Sequence, residues 1–213
     1  MSIEVKICGL TTPEMIDAAI DAGADYIGLV SFPKSPRHVE LDAAADLAAH
    51  AQMRAHVVVL TVDASDAHLA DIAIDVGPDF IQLHGHETPA RVRDVAERTA
   101  CKTIKAIPIE TERDVSAAAT YADVADLLLF DAKPPPASDL PGGNGEPFDW
   151  DLLAKHDWRT PTMLSGGLTV ENVTAAIART GTGAVDVSSG VERARGIKDA
   201  ALIRAFVAAA KAG

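Results

Sequence analysis

Hydrophobic positions in this chain fall into short apolar, often β-branched runs, each followed by a stretch with helical spacing rich in alanine. Ile3, Val5 and Ile7 alternate with polar residues, which predicts a strand over Ile3–Ile7. Gly9 permits a sharp turn, Thr12 suits an N-cap, and Pro13 fits the first helical position with Glu14 behind it. A helix over Pro13–Ala22 follows from that punctuation. The same alternation continues with strands expected over Tyr26–Val30, His56–Thr61, Phe80–Leu83, Thr103–Ile107, Leu127–Phe130, Thr162–Leu164 and Ala184–Val187. Between and after them, helices are expected over Ala43–Ala51, Ala67–Asp75, Pro89–Arg98, Arg113–Tyr121, Trp150–Lys155, Val170–Arg179 and Lys198–Lys211.

These are eight βα units in series, with no break in composition to divide them. Such alternation implies an α/β protein with a parallel sheet and helical crossovers. Eight repeats favour closure into a single (β/α)8 TIM barrel, one catalytic domain over residues 1–213, although the chain is short for that fold. A doubly wound open sheet is the alternative, but the first βα turn lacks a GxGxxG fingerprint.

Composition narrows the partners. Hydrophobic residues are 48% of the chain and aromatics only 4%, so the core is mostly aliphatic and alanine. A net charge of −12, from 31 acidic and 19 basic residues, argues against nucleic acid or anionic membranes as partners. No run suits a membrane span and the N-terminus shows no leader pattern, so a soluble cytoplasmic protein is expected. Cys8 and Cys101 are the only cysteines and are expected to be reduced. The dispersed acid and scarce lysine resemble proteins of salt-loving organisms, with a merely acidic mesophilic protein as the alternative.

In a barrel, the ends of distant strands share one mouth, so chemistry is sought there. Cys8 ends the first predicted strand; it is either a reactive thiol or a small buried apolar residue. Asp131 follows Leu127-Leu128-Leu129-Phe130, where partial desolvation suits a general acid, a helix cap being the plain alternative. Arg37, with Lys34, lies in a loop of about ten residues, longer than usual, and its planar fork suits a carboxylate or phosphate. Ser165-Gly166-Gly167-Leu168 and Ser188-Ser189-Gly190-Val191 follow the last two predicted strands, where barrels frequently bind phosphate through backbone N–H groups. Gln82 and His84 are candidate hydrogen-bonding groups of the pocket, with His86 exposed. A bare His84-x-His86 pair is weak support for a metal.

The chain also resembles the phosphoribosylanthranilate isomerase family along essentially its whole length. The resemblance rests on Lys6 to Thr11, Phe32 to Arg37, Val76 to Gly85, Leu129 to Asp131, Gly142 to Gly145 with Trp150, Ser165 to Leu168 with Glu171 to Val173, and Val185 to Glu192 with Gly196, Lys198 and Asp199. It implies a metal-free, cofactor-free barrel that performs an Amadori rearrangement of N-(5-phosphoribosyl)anthranilate in tryptophan biosynthesis. Carried over, Cys8 matches the general base, Asp131 the general acid, and Arg37 the arginine that faces the anthranilate carboxylate. The small-molecule substrate is then the only partner beyond a second copy, the chain being a monomer or homodimer. Two departures are Asn144, where the family has threonine, and the proline-rich Pro134-Pro135-Pro136. Its histidine-pathway counterpart uses two aspartates, and Cys8 argues against that assignment.

Overall fold

The computed structural model describes residues 2–134, 142, 147–154 and 156–212. Eight parallel strands close into a barrel in chain order. They are β1 (Glu4–Cys8), β2 (Tyr26–Val30), β3 (His56–Thr61), β4 (Phe80–Leu83), β5 (Lys102–Ile109), β6 (Leu127–Ala132), β7 (Thr162–Leu164) and β8 (Ala184–Val187). Pairing of β1 with β8, Glu4 opposite Ala184 and Ile7 opposite Val187, completes the ring. The intervening helices are α1 (Pro13–Asp21), α2 (Leu41–Ala51), α3 (Asp66–Asp71), α4 (Pro89–Thr99), α5 (Glu112–Ala118), α6 (Val173–Thr180) and α7 (Ala200–Lys211). The expected TIM barrel is the observed fold.

Strand alternation divides the core into two layers. Val5, Ile7, Ile81, Leu83, Leu128, Phe130, Val185 and Val187 face outward and pack with helix residues such as Ile16, Val92 and Phe206. Tyr26, Val58, Phe80, Ile104, Leu127, Leu129 and Met163 fill the barrel. Burying each large side chain of this kind contributes about 1.5–3 kcal/mol relative to exposure. Lys6 and Cys8, Leu129 and Asp131, and Ala184 and Asp186 therefore share the inward side of their strands.

Local chemistry sets the ends. The Thr12 hydroxyl accepts from Met15 N with Pro13 at the first helical position, a cap worth about 1 kcal/mol. Asp25, Asp79 and Asp126 accept the backbone N–H groups of Val5, Val57 and Thr103 at 2.8, 2.8 and 2.7 Å. Part of the acidic composition thus ties neighbouring strands together at the N-terminal end of the barrel.

The structure departs from the sequence expectation in five places. Strand β6 continues through Ala132, so Asp131 lies within it rather than after it. The helix expected over Ala67–Asp75 is α3 followed by a π-turn over Ile72–Val76, ended by Gly77 at φ +57°. Between β6 and β7 the helical structure among the described residues is a 3-10 turn over Trp150–Leu152, where a helix over Trp150–Lys155 was expected. Helix α6 starts at Val173 because Asn172 Oδ1 accepts from Thr169 N and holds a turn ahead of it. A short antiparallel hairpin, β9 (Glu192–Ala194) and β10 (Ile197–Lys198), occupies a region where only a helix start was expected. Among the described residues no helix is long and apolar enough to cross a membrane.

Candidate active site

One pocket opens at the C-terminal mouth, lined by Cys8, Arg37, His84, Asp131, Gly142, Gly166, Gly167, Ser188 and Ser189 among others. All nine belong to the residues or motifs singled out in the sequence, converging from the ends of strands β1, β4, β6, β7 and β8 and from the loops after β2 and β6. Gly142 represents the motif in the loop after β6; Gly143 to Gly145 lie outside the described residues.

Cys8 is buried at the end of β1, and Gly28 on the neighbouring strand leaves it room. A side chain at position 28 would place its Cβ 3.1 Å from the Cys8 sulfur. Burial pushes the thiol up from its ordinary range, and the nearby cations Lys6 and Lys198 counter that only in part. Lys6 is fully buried and donates to Asp186 Oδ1 at 2.9 Å. Burial works against its charge, yet Asp186 and Cys8 hold its ammonium above the usual lysine value. Ser165 Oγ donates to Asp186 Oδ2 at 3.3 Å, which secures the other carboxylate oxygen.

Asp131 accepts from its own strand, Ala132 N to Oδ1 at 2.9 Å. Its Oδ2 lies 3.2 Å from His84 Nε2, and Gln82 Nε2 lies 3.1 Å from His84 Nδ1. With Gln82 donating to Nδ1, the ring proton sits on Nε2 and points at Asp131. Gln82 is fully buried and reaches the site only through His84; the expectation that it lines the pocket is corrected to that extent. The His84-x-His86 pair is split, since the His86 side chain is 96% exposed and pairs with Asp63. Among the described residues no group of three or more His, Cys, Asp or Glu side chains is placed to hold a metal ion.

Arg37 is buried rather than free in its loop. Its Nε and Nη2 donate to Glu192 Oε1 and Oε2 at 2.6 and 3.0 Å. Burial opposes ionisation of Glu192, but the bonds from Arg37 and Lys198 outweigh it and hold the carboxyl at about 2. Lys34, by contrast, is exposed. The two glycine turns face the pocket through Gly166, Gly167, Ser188 and Ser189, whereas Gly190 is not part of the lining. Gly190 instead packs the two turns together, because a Cβ there would collide with the Leu168 carbonyl. Gly190→Ala should therefore push the turns apart and raise KM by about tenfold or more, with a smaller change in kcat. Steady-state kinetics that return the wild-type KM would refute this packing role.

Lys6, Asp186, Glu192 and Lys198 are site residues to which sequence reasoning gave no role. Lys6 and Asp186 had a signal: each is a charged residue in an apolar strand, two positions from an inward neighbour. Glu192 and Lys198 stood within a matched motif, but the hairpin that turns them inward is too short to show periodicity.

A thiol, a carboxyl and two backbone turns at the C-terminal mouth of a parallel barrel define an enzyme of the acid–base class, built for an anionic substrate. Comparison with known proteins makes the class particular. Residues 5–209 match the N-(5'-phosphoribosyl)anthranilate (PRA) isomerase family, and the chain belongs to it. It is 55% identical over 212 residues to the N-(5'-phosphoribosyl)anthranilate isomerase of Rhodopseudomonas palustris, covering 100% of this chain and 97% of that protein. The Parvibaculum lavamentivorans protein of the same name is 52% identical, with 99% of each chain covered. Among solved structures, phosphoribosyl anthranilate isomerase from Thermotoga maritima superposes with a TM-score of 0.89 at 36% identity, covering 99% of this chain and 100% of that one. A phosphoribosyl anthranilate isomerase in complex with reduced 1-(o-carboxyphenylamino)-1-deoxyribulose 5-phosphate superposes at 0.87 with 34% identity, covering 99% and 100%.

Proposed function

We propose that this chain catalyses the Amadori rearrangement of N-(5-phosphoribosyl)anthranilate to 1-(2-carboxyphenylamino)-1-deoxy-D-ribulose 5-phosphate in tryptophan biosynthesis, by acid–base chemistry without a cofactor. The observation that carries this reading is the meeting of Cys8 and Asp131 in one pocket from strands that are not neighbours. The whole chain serves as one catalytic barrel domain.

The reaction needs an acid first. Opening of the furanose breaks the C1–O bond, and Asp131 donates its proton to the departing ring oxygen. The anthranilate nitrogen supplies its lone pair to C1, forming a Schiff base that acidifies the C2 proton. Cys8 removes that proton as thiolate, and the enolamine tautomerises to the ketone. The phosphate rests on the N–H groups of the Gly166–Gly167 and Ser188–Ser189 turns, and Arg37 faces the anthranilate carboxylate. A barrel that only binds a phosphosugar would not need a buried thiol and a histidine-tethered carboxyl in the same cavity.

The test is direct. Purified protein mixed with freshly generated phosphoribosylanthranilate should abolish the fluorescence of that substrate with multiple turnovers. A persistent signal at stoichiometric enzyme would contradict the assignment.

The enzyme works in the cytoplasm, as its biosynthetic family suggests, as a monomer or a homodimer. The Thermotoga maritima protein is itself described as dimeric, with monomers generated from it. The relatives come from non-halophiles, so salt adaptation rests on this chain's own −12 charge, dispersed acid and scarce lysine. If self-repulsion weakens the fold at low ionic strength, Tm should climb steadily from dilute buffer to concentrated potassium chloride. A flat or falling melting curve would mark an ordinary acidic protein.

A further inference from the structure

The hairpin β9–β10 takes no part in the acid–base steps, yet its charged groups converge on the wall of the pocket. Glu192 Oε1 accepts from Arg37 Nε at 2.6 Å and from Lys198 Nζ at 2.9 Å. Oε2 accepts from Arg37 Nη2 and from Gly196 N, both at 3.0 Å. A carboxylate has about four acceptor positions, so this one is saturated. Lys198 Nζ also donates to the Ser188 carbonyl at 2.8 Å, and Ser188 Oγ donates to the Cys8 carbonyl at 3.1 Å.

Arg37 is held from below as well. Gly9 stands at φ +80°, and a Cβ there would sit 2.6 Å from Arg37 Cδ. At the hairpin turn, a Cβ on Gly196 (φ +81°) would approach the Pro36 carbonyl to 2.8 Å. The guanidinium is thus seated on Gly9 while the hairpin presses on the preceding residue. Among the described residues its Nη1 makes no hydrogen bond, and Arg37 lines the pocket. Of the five N–H donors of an arginine, about three remain for a ligand, on the Nη1–Nη2 edge.

We propose that Glu192 is the positioning residue through which this site selects a carboxyl-bearing substrate: it fixes the Nε–Nη2 edge of Arg37 so that the Nη1–Nη2 edge is left for the carboxylate. The proposal rests on the assignment of Arg37 to that group. Charge alone predicts the opposite effect. Removing Glu192 makes the wall more positive, which by itself would tighten an anion, whereas a released guanidinium loses its preorganised fork and grips less well.

The test measures Kd for reduced 1-(o-carboxyphenylamino)-1-deoxyribulose 5-phosphate and for the same molecule without its carboxyl group. Both are titrated against wild type, Glu192→Gln, Glu192→Ala, Arg37→Ala and the Arg37→Ala/Glu192→Ala pair. The expected result is about tenfold weaker binding of the carboxyl-bearing compound to Glu192→Ala, with binding of the other compound within about twofold of wild type. Glu192→Gln, which keeps size and one acceptor, should fall between and covers the case in which the alanine variant does not fold. The double variant should bind no more weakly than Arg37→Ala, as residues acting through one contact do. Unchanged or tighter binding in the Glu192 variants, an equal loss for both compounds, or additive losses would each overturn the proposal. An Arg37→Ala effect without a Glu192 effect overturns the positioning role alone. No effect of Arg37→Ala overturns the Arg37 assignment and the proposal with it.

Discussion

Alanine at position 8 should cut kcat by about 10² or more while leaving KM within a few-fold of wild type, because it deletes the base and no binding contact. Cys8 is a small side chain at the end of a paired strand, so its removal leaves the barrel intact. Cys8→Ser should not restore turnover, since an alkoxide is far harder to form than a thiolate. Cys101→Ala should leave activity nearly whole: that thiol bonds the Thr99 carbonyl between α4 and β5, away from the mouth. The pH dependence carries a sign as well. Burial raises the Cys8 thiol above its ordinary value of 9.0, with Lys6 and Lys198 pulling the other way. If free enzyme must lose that proton, kcat/KM should still be climbing as pH passes 9.0. A profile that levels below neutrality, or an essential Cys101, would remove Cys8 from its role.

The second large effect belongs to Asp131. Asp131→Asn keeps the shape of the side chain, and the His84 Nε2–H can still donate to the remaining oxygen, so the pocket should keep its form. A carboxamide cannot supply a carboxyl proton to the ring oxygen, and kcat should fall by about 10² or more with a smaller change in KM. Single-turnover kinetics should place the block at ring opening, with no exchange of the substrate C2 proton into solvent. Normal turnover in the asparagine variant would mean that another group provides the acid.

Much of this was legible in the chain. Alternating apolar runs and capped helices are local signals, and they located all eight barrel strands, because parallel strands and their crossovers punctuate the sequence strongly. Cys8, Asp131 and the two glycine turns were visible for the same reason: each stands at a strand's C-terminal end, where the fold collects its chemistry. The partners of those groups were harder to see. Val5 and Ile7 alternate with polar residues in β1, but that pattern does not say that the Lys6 face fills the barrel, and Asp186 interrupts an apolar run because strands buried on both faces need not alternate. Glu192 reaches Arg37 across 155 positions of sequence, and no local pattern encodes that pairing. The β9–β10 hairpin, of three and two residues, falls below the length at which a period can be read. Where a helix over Trp150–Lys155 was expected, Asp149 caps a 3-10 turn over Trp150–Leu152, and Lys155 lies outside the described residues.

One substrate molecule must bridge Cys8 and Asp131, and a crystal structure with the reduced product analogue bound shows whether it does. The phosphate should lie between the Gly166–Gly167 and Ser188–Ser189 turns, with the carboxylate on Arg37. Cys8 Sγ should lie within about 4 Å of C2, and the Asp131 carboxyl within about 3.2 Å of the oxygen that closed the ring. An analogue bound with its phosphate elsewhere, or with C2 turned away from Cys8, would contradict it.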